Sequence, residues 1–191
     1  MDEEMSEIIE DLKEYIRENP SDPFGWFNLG AILESKGEID EAIHAYKTAL
    51  EYEPSYVQCL TNLGVLTEKK GDLEKALELY NKALSINNSD TITWFNLGIC
   101  YLKLENVEEA ENAFAKAVES DSTNSSALFE LAKLKVEKKE LAKAETLLKK
   151  AIEINPGSKD ILSLLAKVLS QEGKEQEVKE IETKIRLLFG K

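Results

Sequence analysis

The chain has 191 residues, of which 42% are apolar and 32% charged, and it carries a formal net charge of −13. That composition suits a folded protein, lacks the basic footprint that nucleic-acid binding requires, and would be repelled by an anionic membrane surface. No apolar run is long enough to span a bilayer, and Met1-Asp2-Glu3-Glu4-Met5 is the reverse of a cationic secretory start, so the expected setting is cytoplasmic.

Taken in chain order, the first predicted element is a helix over 1–20, with Ile8, Leu12 and Ile16 on one stripe and Pro20 closing it. It fits the register of a hairpin's second helix with no first helix before it, and is expected to cap a stack. Trp26-Phe27-Asn28-Leu29-Gly30 then opens a pattern that returns as Trp94-Phe95-Asn96-Leu97-Gly98, 68 residues later. Halfway between them stands Leu60-Thr61-Asn62-Leu63-Gly64. Leu128-Phe129-Glu130-Leu131-Ala132 and Leu162-Ser163-Leu164-Leu165-Ala166 continue the same 34-residue spacing. A period this strict describes one helical hairpin written repeatedly, each copy contacting its neighbours. The expected units are 23–56, 57–90, 91–124 and 125–158. A degenerate fifth unit with a C-terminal capping helix follows over 159–191, and the whole forms one continuous domain.

Within each unit the two helices are separated by a break, at Lys36-Gly37, Lys70-Gly71, Glu105-Asn106, Lys139-Glu140 and Glu172-Gly173. Gly and Asn are expected there because they accept the left-handed conformation that closes a helix. Acids open the second helices, at Asp40-Glu41, Asp72 with Glu74, and Glu108-Glu109, where the helix dipole favours them. Ala42, Ala76, Ala110 and Ala144 recur inside those helices, as do Ala49, Ala83, Ala117 and Ala151, with Tyr46, Tyr80, Phe114 and Leu148 between them. Small residues allow close helix approach while the bulky one fills the space beside it. Gly30, Gly64 and Gly98 are expected to do the same in the first helices. In the fifth unit, Val178, Ile181, Ile185 and Leu188 keep helical spacing, and Leu187, Leu188 and Phe189 offer an apolar end for capping or for self-association.

Trp94, Leu97, Gly98, Tyr101, Ala110 and Phe114 in the third unit, and Trp26, Leu29, Gly30, Ala42, Tyr46, Ala49 and Pro54 in the first, resemble the tetratricopeptide-repeat (TPR) signature. The resemblance covers nearly the whole chain. It implies an all-α fold, a right-handed superhelical α-solenoid of stacked antiparallel helix hairpins, and a protein–protein interaction role with no named partner.

In such a stack the first helices line a concave surface. Rotated away from their packing stripes lie Phe24, Phe27, Asn28, Ala31 and Ser35; Gln58, Thr61, Asn62, Val65 and Lys69; and Ile92, Phe95, Asn96, Ile99 and Lys103. In the fourth unit the set is Ser126, Phe129, Glu130, Lys133 and Glu137. Asn28, Asn62 and Asn96 form a column able to grip a peptide's N–H and C=O groups. The candidate groove is therefore Phe24, Phe27, Asn28, Ala31, Asn62, Val65, Ile92, Phe95, Asn96, Ile99, Phe129 and Lys133. Its expected ligand is an apolar or basic protein segment, extended or helical. One branch of the family binds acidic C-terminal tails through Lys, Asn and Arg spread over three first helices. Here the matching positions are Phe27, Ala31, Asn62, Ile92 and Asn96, and only Asn62 agrees; one unit further on, Thr61, Val65, Asn96, Ser126 and Glu130 match no better. That activity is not expected.

Catalysis is not expected either. There is no Gly-rich phosphate loop, the lone His44 sits among charged neighbours, and nothing argues for a desolvated carboxylate pair. Cys59 and Cys100 stand seven positions apart in repeat register, about 10 Å along a helix, which is too far for a disulfide. Both are expected to be buried thiols. The sequence thus describes a non-catalytic adaptor or scaffold with no cofactor. The alternative is a self-assembling structural element, a homodimer or larger, joined through its terminal helices.

Overall fold

The computed structural model describes residues 2–190, with side chains from Ser6 onward. Among these residues there are eleven helices and no strand: α1 (Asp2–Glu18), α2 (Pro23–Lys36), α3 (Ile39–Tyr52), α4 (Val57–Lys69), α5 (Leu73–Ile86), α6 (Thr91–Lys103), α7 (Val107–Ser120), α8 (Ser125–Glu137), α9 (Leu141–Ile154), α10 (Lys159–Gln171) and α11 (Glu175–Phe189). The chain folds as two compact units that divide after Leu104, the first holding α1–α6 and the second α7–α11.

Local chemistry explains where the helices begin. The Asp22 carboxylate accepts from the Phe24 N–H at 3.1 Å, and Pro23 occupies the first turn, where its missing N–H costs nothing. Asp72, Asp90, Asn124 and Ser158 cap α5, α6, α8 and α10 through bonds to the N–H three residues on. The two tryptophans have a second task besides packing. Trp26 Nε1 donates to the Pro20 carbonyl at 2.9 Å and Trp94 Nε1 donates to the Asn88 carbonyl at 2.8 Å, tying each first helix to the turn before it.

The breaks obey the repeat more strictly than residue preference. Gly37, Gly71 and Gly173 are left-handed, at φ 81°, 88° and 75°. In the third break the left-handed residue is Glu105, at φ 60°, not Asn106; Asn106 stands before α7 at φ −87°. Lys139 takes the corresponding place in the fourth, at φ 59°. Positions 37, 71, 105, 139 and 173 share one spacing, so the geometry that turns one helix into the next decides the conformation whatever side chain is there.

In the first unit the core runs through Leu29, Leu33, Ala42, Tyr46, Ala49, Cys59, Leu63 and Leu66, with Ile9 and Ile16 of α1 against it. Its glycines are contact points. A Cβ on Gly30 would lie 2.7 Å from the Tyr46 ring, and one on Gly64 would lie 2.5 Å from the Tyr80 ring. In the second unit, Ala132 and Leu148 share the core with Leu128, Ala144, Ala151, Ile161, Leu165, Val168 and Leu169. There, Val178 and Ile181 of α11 lie against that core, yet no residue of α11 is itself buried. Leu187 is 80% exposed. No described helix is long and apolar enough to cross a membrane.

Candidate functional site

Helices α2, α4 and α6 lie side by side in the first unit, and their cross-helix bonds repeat with the sequence. Tyr46 Oη donates to the Glu34 carboxylate at 3.0 Å, and Lys69 of α4 reaches the same carboxylate at 3.4 Å. One repeat on, Tyr80 Oη donates to Glu68 at 3.1 Å and Lys103 of α6 lies 2.8 Å from it. Each Glu on a first helix therefore joins its own second helix to the next first helix. Thr61 of α4 and Thr93 of α6 add a buried hydroxyl–hydroxyl bond, and Thr93 is held by the Asp90 carboxylate. Sequence reasoning did not single out Glu34 and Glu68, although their 34-residue spacing, matched by Lys69 and Lys103, was a readable signal.

Burial dominates the electrostatics here. It pushes both the Tyr46 and Tyr80 phenols well above the ordinary range, and Glu34 and Glu68 respectively add to the effect. The Cys59 thiol, which donates to the Tyr46 carbonyl at 3.2 Å, is pushed up to about 12 by burial. Burial likewise pushes Cys100 up to about 11, with Glu68 adding to it. Neither thiol forms a disulfide. Thiols this hard to ionise are poor nucleophiles at neutral pH.

The residues expected to line the groove fall into columns. Phe24, Gln58 and Ile92 hold one column and all are exposed, Phe24 at 61% and Ile92 at 64%. In the asparagine column Asn28 is exposed, while Asn62 and Asn96 are half-buried. Asn62 has a partner already, since its amide donates to Tyr46 Oη at 3.2 Å. It keeps one N–H and its carbonyl oxygen for other work. Ala31, Val65 and Ile99 form a half-buried floor.

Phe27 is less available than the helical wheel suggests. Its ring sits 4.8 Å from that of Tyr56 and 5.8 Å from that of Tyr46, and Phe24 also meets Tyr56 at 5.3 Å. Tyr56 stands one residue before α4, a turn position that no helical periodicity would place beside α2. Phe95 is half-buried in the equivalent place on α6.

The second unit holds Phe129 and Lys133, and these two are occupied with each other. The Lys133 ammonium lies 5.7 Å from the Phe129 ring centre and 2.6 Å from the Glu130 carboxylate. Among the described residues no group of three or more His, Cys, Asp or Glu is placed to hold a metal ion.

Antiparallel helix hairpins repeated at 34 residues, with Gly30 and Gly64 set against the Tyr46 and Tyr80 rings, define a tetratricopeptide-repeat protein of the all-α solenoid class, a fold of protein-interaction modules. The chain belongs to the family described as the cilia and flagella-associated protein 70 C-terminal domain, which it matches over residues 3–184. Solved structures agree on the fold. PilF of Pseudomonas aeruginosa superposes with a TM-score of 0.88 at 16% identity, over 97% of this chain and 85% of that one. YrrB, described as a TPR protein with an unusual peptide-binding site, gives 0.73 at 22% identity over 93% and 92%. MamA gives 0.72 at 22% identity over 86% and 90%. A segment of 56 residues, 29% of this chain, is 36% identical to the Saccharomyces cerevisiae peroxisomal targeting signal receptor, and it spans 9% of that receptor's length.

Proposed function

We propose that the protein is a non-catalytic adaptor whose repeats (23–56, 57–90, 91–124, 125–158), flanked by 1–20 and 159–191, present a peptide-binding surface on α2, α4 and α6. The observation that carries this reading is the exposure of Phe24 and Ile92 beside the asparagine column, on the side of the helices away from the core. Large apolar side chains left in water beside amide donors and acceptors are what a peptide groove offers. The likeness to YrrB, whose description names a peptide-binding site, points the same way.

The test uses peptides selected from a random library on the immobilised protein, then measured by calorimetry. Asn28 and Asn96 are the informative positions, because Asn62 also holds Tyr46. At about 1 kcal/mol per lost hydrogen bond, the Asn28→Ala, Asn96→Ala double variant should bind roughly thirtyfold more weakly with helicity unchanged. Full affinity in that variant would remove the column from the binding site.

A second reading rests on α11. Leu187, Leu188 and Phe189 are exposed at its end, so a homodimer joined there is the alternative. Sedimentation velocity over a concentration range, repeated with Leu187→Glu, decides it: a dimer that dissolves in the variant supports it, and a monomer throughout rejects it.

A further inference from the structure

We infer that the surface on α2, α4 and α6 takes an extended, uncharged apolar peptide segment, not an acidic or basic one; this rests on the groove reading above. The carrying observation is a strip without charge. Pro23–Leu33, Val57–Thr67 and Thr91–Leu102 contain no Asp, Glu, Lys or Arg, in a chain that is 32% charged. Packing against the second helices does not demand this. The corresponding stretches of the second unit do the same packing, yet α8 carries Glu130 and Lys133, and α10 carries Lys159, Asp160 and Lys167. Charge is therefore missing where the first helices of unit 1 face solvent as well as where they face the core, with Phe24, Asn28, Gln58 and Ile92 all exposed.

The carboxylates that border the strip are already engaged, two by neutral donors and two by lysines. Toward the helix starts, the Asp22 carboxylate takes the Phe24 N–H and the Tyr15 hydroxyl, and Asp90 takes the N–H and hydroxyl of Thr93. Toward the helix ends, Glu34 pairs with Lys69 and Glu68 with Lys103. A ligand side chain bearing charge would lose water over these stretches and meet no counter-ion within them. An apolar side chain gains by covering Phe24, Ile92 and Val65. The asparagines fix the ligand's form. A helix satisfies its own N–H and C=O groups, whereas an extended segment presents them to amide side chains.

The experiment selects random short peptides on the full chain at low and at high salt, with Ile92→Lys and Asn28→Ala as counter-screens. Ile92 is exposed, so Ile92→Lys should fold normally, which circular dichroism checks. The assignment expects enriched peptides that are apolar and uncharged, and about twofold or less change in affinity with salt, because no exposed ion pair forms for salt to screen. Replacing one central residue of such a peptide by Lys, or by Glu, should weaken binding by about tenfold or more in either case. Methylating its backbone nitrogens should weaken it too. Enriched peptides rich in one sign of charge, bound salt-sensitively and lost in Ile92→Lys, would overturn the partner chemistry while leaving the groove. Peptides indifferent to both variants, or no enrichment, would overturn the groove as well. Self-association abolished by Ile92→Lys would put a second copy on the strip and refute the assignment.

Discussion

Gly64→Ala gives a sharp test of how the repeat is packed, because its sign should depend on one other residue. Alanine is favoured over glycine inside a helix by about 1 kcal/mol, so the substitution should stabilise α4 taken alone. The structure opposes this. The added methyl would sit 2.5 Å from Cε1 and 2.9 Å from Cδ1 of Tyr80, whose ring is wholly buried and has nowhere to move. Overpacking costs about 1–3 kcal/mol, and a displaced ring also loses its bond to Glu68, worth about 1 kcal/mol. Propensity and the lost bond cancel, leaving a net destabilisation of about 1–3 kcal/mol. Urea unfolding followed by circular dichroism measures it. In a Tyr80→Leu background the opposing ring atoms are gone, and Gly64→Ala should become stabilising by about 1 kcal/mol. The chain itself contains that solution, since Ala132 and Leu148 occupy the equivalent places in the second unit and both are fully buried. An equal cost of Gly64→Ala in both backgrounds would refute the steric argument.

Three further outcomes follow from the same structure. Lys139→Gly should raise stability by about 0.5–1 kcal/mol, because Lys139 is held at φ 59° where a side chain is strained; an unchanged urea midpoint would contradict this. Alkali should destabilise the protein. Ordinary thiols ionise near 8.5, whereas Cys59 and Cys100 are pushed up to about 12 and 11, so the unfolded chain loses protons first. The stabilisation is whole below about pH 8.5 and drains away as pH climbs towards 11–12, and Cys59→Ala should flatten part of that slope. At the acid end, hydrogen bonds from Lys149 and then Lys174 hold the Glu145 carboxyl down at about 2. Its contribution is present above the ordinary glutamate value near 4.3 and is lost as pH falls towards 2, so Glu145→Gln should shallow the acid limb of the second unit; an identical acid profile would remove Glu145 from the account.

The fold class was legible because a single period carries it. Trp26, Leu60, Trp94, Leu128 and Leu162 announce the first helices, and α2, α4, α6, α8 and α10 start at Pro23, Val57, Thr91, Ser125 and Lys159. What was not legible depends on which helix lies beside which. Phe27 reads as a groove residue on a helical wheel, yet Tyr56 reaches it from a turn. Asn62 reads as a free amide until Tyr46 arrives from the preceding hairpin. The left-handed residue at the third break was expected to be Asn106 on chemical preference, and register assigned it to Glu105. Local preference speaks for single residues; the first two outcomes were set by neighbours distant in sequence and the third by the register of the repeat.

One oxygen in the first unit would tie the proposed recognition to cohesion. The Tyr46 phenol accepts from Asn62 on the proposed binding face and donates to Glu34, which in turn holds Lys69 of the adjoining helix. Any guest that draws the Asn62 amide outward withdraws a proton donor from that phenol. The news is then carried through Glu34 to the seam between neighbouring hairpins. The tyrosine's near-ultraviolet signal would register occupancy without any label, and a loosened or tightened seam would accompany it.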